Sequence, residues 1–317
     1  MKSKLIIVEE LPHSEKISTA AMVAEELQKK GQRVICAGPA GLAYPDDFAD
    51  FEAERKNVLD KWRIFAEKAD KDTVFVCAGG CIHYVSTAVM RYGLDAEAAG
   101  RYAAEIVQAV KTLNPIMIYI DQNDISETAA LWHTGTDAAS GCMVREYEGK
   151  GFSDREEYFQ YLKEQRMHEL HILQELDMDS YIVSSEICEE EVKELFQSAG
   201  WDNLPPEQIC LAVENSTKTF VIRRKAVPLA MISWLGDYGL HWFMKDFVVR
   251  KEYQGRRIGT FLYRFSENYI KSTMRKGWKV SIDLRAARGK ENFYRKLGFR
   301  LLTEKETGSG MEKIIER

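Results

Sequence analysis

The sequence predicts two cores, a doubly wound α/β domain over residues 1–178 and an α+β domain over residues 179–317. Three observations predict it. The chain of 317 residues exceeds the roughly 100–200 residues typical of one domain. Short apolar runs alternate with amphipathic helical patterns through the first half, as in a parallel sheet covered on both faces. After residue 178 several strand patterns follow one another with flanking helices, the texture of a mostly antiparallel sheet.

In the first half, residues 4–8, 33–36, 73–77 and 115–120 read as buried strands, each a short β-branched or aliphatic run. Residues 16–30 carry a helical pattern closed by Gly31, and further helices are predicted over 48–68 and 95–113. Residues 153–176 place Tyr158, Tyr161, Leu162, Met167, Leu170 and Ile172 at helical intervals inside a charge-rich run, which reads as one long helix with a solvated face. In the second half, a helix is predicted over 189–198 and a turn from Trp201 to Pro206. Strands over 219–223, 228–235 and 242–250 precede a helix over 258–276, a strand over 279–284, a short helix over 291–297 and a last strand region ending near Ile315.

The net charge of −5 gives no reason to expect a nucleic-acid or acidic-membrane partner, so any anion site must be local. The first apolar run, residues 5–8, ends at Glu9 and is too short for a signal peptide. No later run approaches the roughly 18–20 apolar residues of a spanning helix, so a cytoplasmic protein is expected. The six cysteines are scattered and read as free thiols. Cys77, Cys81 and His83 lack a second ligand pair, and no metal is expected.

The stretch DFVVRKEYQGRRIGTFLY, residues 246–263, carries the chemistry. A strand ends near Arg250, a basic glycine-containing turn follows, and a helix begins at once with Ile258, Phe261, Leu262, Phe265 and Tyr269 on one side. Strand, tight turn and helix N-terminus together present unpaired N–H groups and a favourable dipole to an anion. The turn YQGRRIG, residues 253–259, resembles the pyrophosphate-binding motif of the GNAT N-acetyltransferase superfamily, with Gln254 and Gly259 at its ends. KENFYRKLGF, residues 290–299, resembles that superfamily's second signature, a short helix carrying a tyrosine and closed by Gly-Phe. The sequence departs from the pattern twice. Arg257 stands at the usual middle glycine, where an arginine with ordinary helical φ still turns its N–H to phosphate, and Ala287 replaces the asparagine that many members place before the tyrosine.

The resemblance implies a GNAT fold for residues 179–317 and acetyl-CoA as cosubstrate. It places the cofactor against Gln254, Gly255, Arg256, Arg257, Ile258, Gly259 and Thr260, with a backbone N–H of Phe247, Val248 or Val249 meeting the thioester oxygen. An amine then attacks the thioester, and Tyr294 supplies a proton to the departing thiolate. Asp246 is the candidate base, with Asp283 and Glu214 as other carboxylates able to take the proton directly or through water. The acceptor is an amine on a small molecule or a peptide; neither it nor an oligomeric state is named by these residues. The alternative function for the same residues is a non-catalytic acyl-CoA-binding or scaffolding protein, against which the intact turn and Tyr294 weigh.

Residues 5–19, LIIVEELPHSEKIST, lie where a P-loop lies, after the first strand and at the start of the first helix. Against that motif Glu10 and Glu15 fall on the two glycines, Lys16 is kept, and Ile17 replaces the magnesium-binding hydroxyl. Glutamates there oppose phosphate and block the nest conformation. With the element order and the strand LNPIMIYIDQND, residues 113–124, before a candidate lid, residues 1–178 resemble a P-loop nucleoside or thymidylate kinase that has lost ATP binding.

Overall fold

The computed structural model describes residues 3–11, 16–38, 48–121, 152, 154–201, 205–301 and 310–316. The chain divides into two compact units, residues 1–183 and 184–317.

In the first unit, β1 (Leu5–Glu10), β2 (Arg33–Cys36), β3 (Thr73–Ala78), β4 (Ile116–Asp121) and β5 (Asp179–Ser184, its last residue past the division) order as β2-β3-β1-β4-β5. The β1–β3, β1–β4 and β2–β3 pairs are parallel. Leu5, Ile7 and Val8 of β1 have no exposed surface, which is why this strand reads as continuously apolar. The helices are α1 (Lys16–Gln28), α2 (Phe51–Lys68), α3 (Ile82–Tyr92), α4 (Ala96–Val110) and α5 (Arg155–Glu175). Asp50, Asp95 and Asp154 cap α2, α4 and α5 by accepting the N–H of Ala53, Ala98 and Glu157 at 2.8–2.9 Å.

α3 was not predicted, although His83, Ser86, Thr87 and Arg91 recur at helical spacing; Ser86 and Thr87 are buried together with Ile82, Val85, Ala88 and Val89, so part of this polar stripe faces protein rather than solvent. Its start is held from a distance. The Glu9 carboxylate, 1% exposed, accepts the N–H groups of Cys81 (2.6 Å) and Ile82 (3.0 Å). Behind α3, Glu169 of α5 accepts Ser86 Oγ (2.9 Å) and Tyr119 Oη (2.8 Å), and Gln165 Nε2 donates to the hydroxyls of Ser86 and Thr87 at 3.2 Å. Burial and Glu169 push the Tyr119 phenol well up. The buried side chains of α5 are therefore partly polar, paired with α3 and β4.

In the second unit, β6 (Lys218–Arg224), β7 (Val227–Gly236), β8 (His241–Val249), β9 (Lys279–Arg285), β10 (Arg300–Leu301) and β11 (Gly310–Glu316) order as β6-β7-β8-β9-β11-β10. Of the recorded pairs only β8–β9 is parallel. The helices are α6 (Glu189–Ser198), α7 (Pro206–Glu214), α8 (Ile258–Thr273) and α9 (Glu291–Leu297). Val192, Leu195 and Phe196 of α6 and Ile209 of α7 form one buried cluster with Met231 and Val248. On the other side Trp234 and Trp242 pack edge-on to each other and against Tyr263 and Tyr269 of α8. β5 and α7 were not predicted as elements; α7 opens on Pro206 behind its N-cap Pro205, where the missing N–H of a first-turn proline costs nothing.

Candidate active site

The cleft is made where β8 leaves β9. Their parallel pairing runs from His241↔Ser281 to Met244↔Leu284 and stops, while β8 stays paired with β7 as far as Ala230↔Val249. Beyond Met244 the β9-facing edge of β8 has no strand partner among the described residues. A bulge accompanies the divergence: the β7 register jumps from Ser233↔Lys245 to Met231↔Val248, so Asp246 and Phe247 oppose Ile232 alone. Asp246 takes φ 41°, a region that a non-glycine residue enters only when its surroundings enforce it. The extra residue inverts the facing of the strand. Val248 joins the α6 cluster, and Phe247 and Val249 turn to Gly259 on α8.

The basic turn follows directly. Gln254 Nε2 donates to Val249 O (2.9 Å), so this side chain clamps the turn to the strand instead of pointing outward. Gly255 has φ 77° and Arg257 φ 71°. The expectation that Arg257 keeps an ordinary helical φ is therefore corrected: it adopts the left-handed conformation that a glycine adopts freely, at a cost of about 1–2 kcal/mol. Phe261 N–H, bonded to Arg257 O at 2.9 Å, is the first intrahelical donor, so the N–H groups of Ile258, Gly259 and Thr260 have no partner within the helix. Arg256 stacks over the Tyr253 ring at 5.2 Å. A Cβ on Gly259 would lie 3.2 Å from Val249 Cγ2, 3.5 Å from Phe247 and 3.6 Å from Phe293, so helix, strand and α9 meet where only hydrogen fits with ease.

Tyr294 sits on α9 with 9% of its surface exposed, edge-on to Phe293 and Phe299. Burial pushes its phenol up to about 12. The carboxylate of Asp246 lies 3.4 Å from Lys245 Nζ, which also donates to Ala212 O of α7 at 2.7 Å. Asp283 is one residue before the last β8–β9 pair, with Ser281 Oγ 3.4 Å and His241 Nδ1 3.8 Å away. Glu214 closes α7 and makes no hydrogen bond or ion pair among the described residues. Sequence reasoning missed His241, which comes close to Asp283 only through strand pairing. It read Phe293 as core beside Tyr294, and the structure sets that ring against Phe247 and Gly259.

Residues 215–301 match the family model described as an acetyltransferase (GNAT) domain. The second unit thus carries an acyltransferase domain. No curated protein matches the chain. Solved structures similar to it include a GNAT-family acetyltransferase from Streptococcus pneumoniae TIGR4, 25% identical over 39% of this chain and 89% of that one, with a TM-score of 0.33. Others are a protein of unknown function from meticillin-resistant Staphylococcus aureus (25% identity, 40% and 96% covered, TM-score 0.36) and the ribosomal-protein-S18-alanine N-acetyltransferase of Escherichia coli (14%, 43% and 95%, TM-score 0.36). With TM-scores below 0.5, these likenesses add no weight to the family-model match.

Among the described residues no group of three or more His, Cys, Asp or Glu side chains could hold a metal ion. Cys81 is buried and its thiol pushed well up by burial, and His83 Nδ1 is engaged by Gln165 at 3.2 Å. No helix of the described residues is long and apolar enough to cross a membrane.

Proposed function

We propose that the module from about Asp179 onward transfers the acetyl group of acetyl-CoA to an amine by direct attack. The observation that carries this is the half-open edge of β8 beside a basic turn of unpaired N–H groups. The phosphates of the substrate fit the N–H groups of residues 255–260 with Arg256 and Arg257. The thioester oxygen fits the β8 edge at Phe247 to Val249, where a fixed N–H stabilises the charge that develops as the amine attacks. Asp246, already beside Lys245, takes directly or through water the proton that the acceptor ammonium gives up, and the neutral amine then attacks the thioester carbon. The C–S bond then breaks and the thiolate leaves. Isothermal titration with acetyl-CoA, followed by a screen of amines for CoA release, tests the reading; absence of acetyl-CoA binding sinks it.

Burial holds the Tyr294 phenol above its ordinary value, and even an ordinary phenol is a weaker acid than a free thiol near 8.5, so full proton transfer from the phenol to the departing thiolate is uphill. Tyr294 therefore donates a hydrogen bond to the departing sulfur, and solvent completes the protonation. A hydrogen bond to a charged group contributes about 1.5–3 kcal/mol, so Tyr294→Phe should lower kcat about 10- to 10²-fold with acetyl-CoA affinity little changed. Full kcat in that variant, with chemistry rate-limiting, leaves Tyr294 a packing residue.

For the first unit the proposed reading is a kinase-like fold without ATP binding. Its parallel sheet has β1 at the centre and an order unlike the 3-2-1-4 and 2-1-3-4 doubly wound sheets, which supports an architecture of another class. Glu10 is buried, and the adjacent Glu9 carboxylate is committed to the start of α3. Glu15 lies outside the described residues, as do the side chains of Lys16 and Ile17 and the candidate lid after Asp121. Titration with a non-hydrolysable ATP analogue in magnesium buffer should show no binding in the micromolar range; micromolar affinity contradicts the reading.

A further inference from the structure

The face of the second unit's sheet turned away from α8 carries a row of groups that the transfer chemistry above does not use. Trp242 packs on Tyr269 of α8, so the alternate residues His241, Phe243 and Lys245 lie on the opposite face. The reach of Lys245 to Ala212 of α7 agrees. Register then places Leu235, Phe243 and Asp283 side by side on three adjacent strands. Leu235 and Phe243 stay 42% and 40% exposed, although both are large apolar residues. Asp283 stands one pair short of the fork where the thioester is proposed to lie.

This end of the sheet is held firmly. The Asp237 carboxylate accepts the N–H groups of Gly239 (2.8 Å), Leu240 (2.8 Å) and His241 (3.0 Å), which bind the β7–β8 hairpin into one conformation and hold its carboxyl at about 2. Leu240 O in turn accepts Ser281 N–H at 2.8 Å, tying the hairpin to β9. Three strands at about 4.8 Å spacing make the row from Leu235 to Asp283 roughly 10 Å long. A carboxylate at one end and two exposed apolar side chains along the rest match a molecule with one ammonium and an apolar body.

We infer that this face is the acceptor site, and that the acceptor is a primary amine carried on an aryl or branched alkyl body. Asp283 receives the ammonium, with the Ser281 hydroxyl 3.4 Å and the His241 ring 3.8 Å from its carboxylate, and Phe243 and Leu235 cover the apolar part. The inference rests on the acetyl-transfer reading. A dicationic amine of the same length would set its second ammonium over Leu235 and Phe243, where burial of charge is unfavourable. An acidic or phosphorylated amine would meet Asp283 with like charge.

The probes are phenethylamine and cadaverine, of comparable length, each with acetyl-CoA and the full chain. Phenethylamine should have a kcat/KM at least about 10-fold above cadaverine, since about 1.4 kcal/mol of apolar contact suffices for that ratio. Asp283→Asn should raise the phenethylamine KM at least 10-fold, with Asp283→Glu restoring part of the loss, and Phe243→Ser should raise KM more than it lowers kcat. Calorimetry of acetyl-CoA should give the wild-type affinity in all three variants, which also shows that they fold. No acetyl-CoA binding by the wild type defeats the underlying reading. Acetyl-CoA binding with no phenethylamine turnover, a preference for cadaverine, or an unchanged KM in Asp283→Asn overturns the acceptor assignment alone.

Discussion

Gly259→Glu should lower acetyl-CoA affinity by about 10²- to 10³-fold, and Gly259→Gln by about tenfold. The two variants separate space from charge. Any side chain at 259 leaves the helix toward Val249, Phe247 and Phe293, and the first added carbon already stands 3.2 Å from Val249 Cγ2. Glutamine and glutamate crowd this junction equally. Only the second adds a negative charge beside the N–H groups of Ile258, Gly259 and Thr260, which hold phosphate in the proposed complex. A unit charge pair about 4 Å apart is worth about 4 kcal/mol at an effective dielectric of 20, and exposure of the turn screens part of it. Titration calorimetry against acetyl-CoA, with desulfo-dephospho fragments as weaker controls, reads the difference. If glutamate and glutamine lose affinity equally, the turn is not where phosphate sits; if neither loses any, the cleft assignment is wrong.

The turn was legible because its parts are consecutive in the chain. Strand, basic glycine turn and helix are written in one run from Asp246 to Tyr263, and a local feature needs no knowledge of pairing. The bulge was not read, although a signal for it existed. Trp242, Met244, Phe247 and Val249 face α8 or its N-terminal junction with a spacing of two, three and two, and the odd step of three marks the inserted residue. The conformation of Arg257 escaped for a different reason. A basic residue in place of glycine suggests an unstrained backbone, yet the turn geometry is fixed by Gly255, the Gln254 clamp and the start of α8, and the arginine accepts the strain.

Long-range polar pairing was the least legible feature. Glu9 and Glu10 are adjacent acids at the end of β1, and alignment to a P-loop singles out Glu10. The structure commits the other one, Glu9, to the N-terminus of α3, which was not predicted. Asp283 was noticed as one carboxylate among three. Its place beside the fork and near His241 depends on the parallel β8–β9 register, which no periodicity encodes.

Glu267→Ala should destabilise the second unit by about 3–5 kcal/mol, the usual cost of removing one partner from a buried ion pair. Glu267 lies on α8 with its side chain 2% exposed; Arg264 Nη1 donates to it at 2.7 Å, Lys313 of β11 pairs with it directly, and Lys271 Nζ is 3.9 Å away. Lys313 also donates to Leu297 O at the end of α9 (2.9 Å) and lies over the Tyr263 ring, so one ammonium ties α8, α9 and β11 together. Without the carboxylate this ammonium keeps a single carbonyl as its strong partner, and burial already draws its pKa below the ordinary lysine value. For a unit of this size the loss corresponds to a melting shift of roughly 10–20 °C. The double variant Glu267→Met, Lys313→Met should recover part of it, because the Lys313 ammonium is then no longer left buried, while Arg264, 19% exposed, still loses this carboxylate. Burial alone raises the Glu267 carboxyl, but Lys313 and Arg264 outweigh it and hold it below the ordinary glutamate value. The folded state therefore binds this proton more weakly than the unfolded chain. Its contribution is complete above the unfolded value of about 4.3 and is lost as pH falls through the lower folded value. Urea denaturation at pH 7 and at pH 3 should accordingly show the wild-type advantage over Glu267→Gln narrowing at the acid end, whereas a gap of constant size at both pH values assigns the stabilisation to side-chain packing instead of charge.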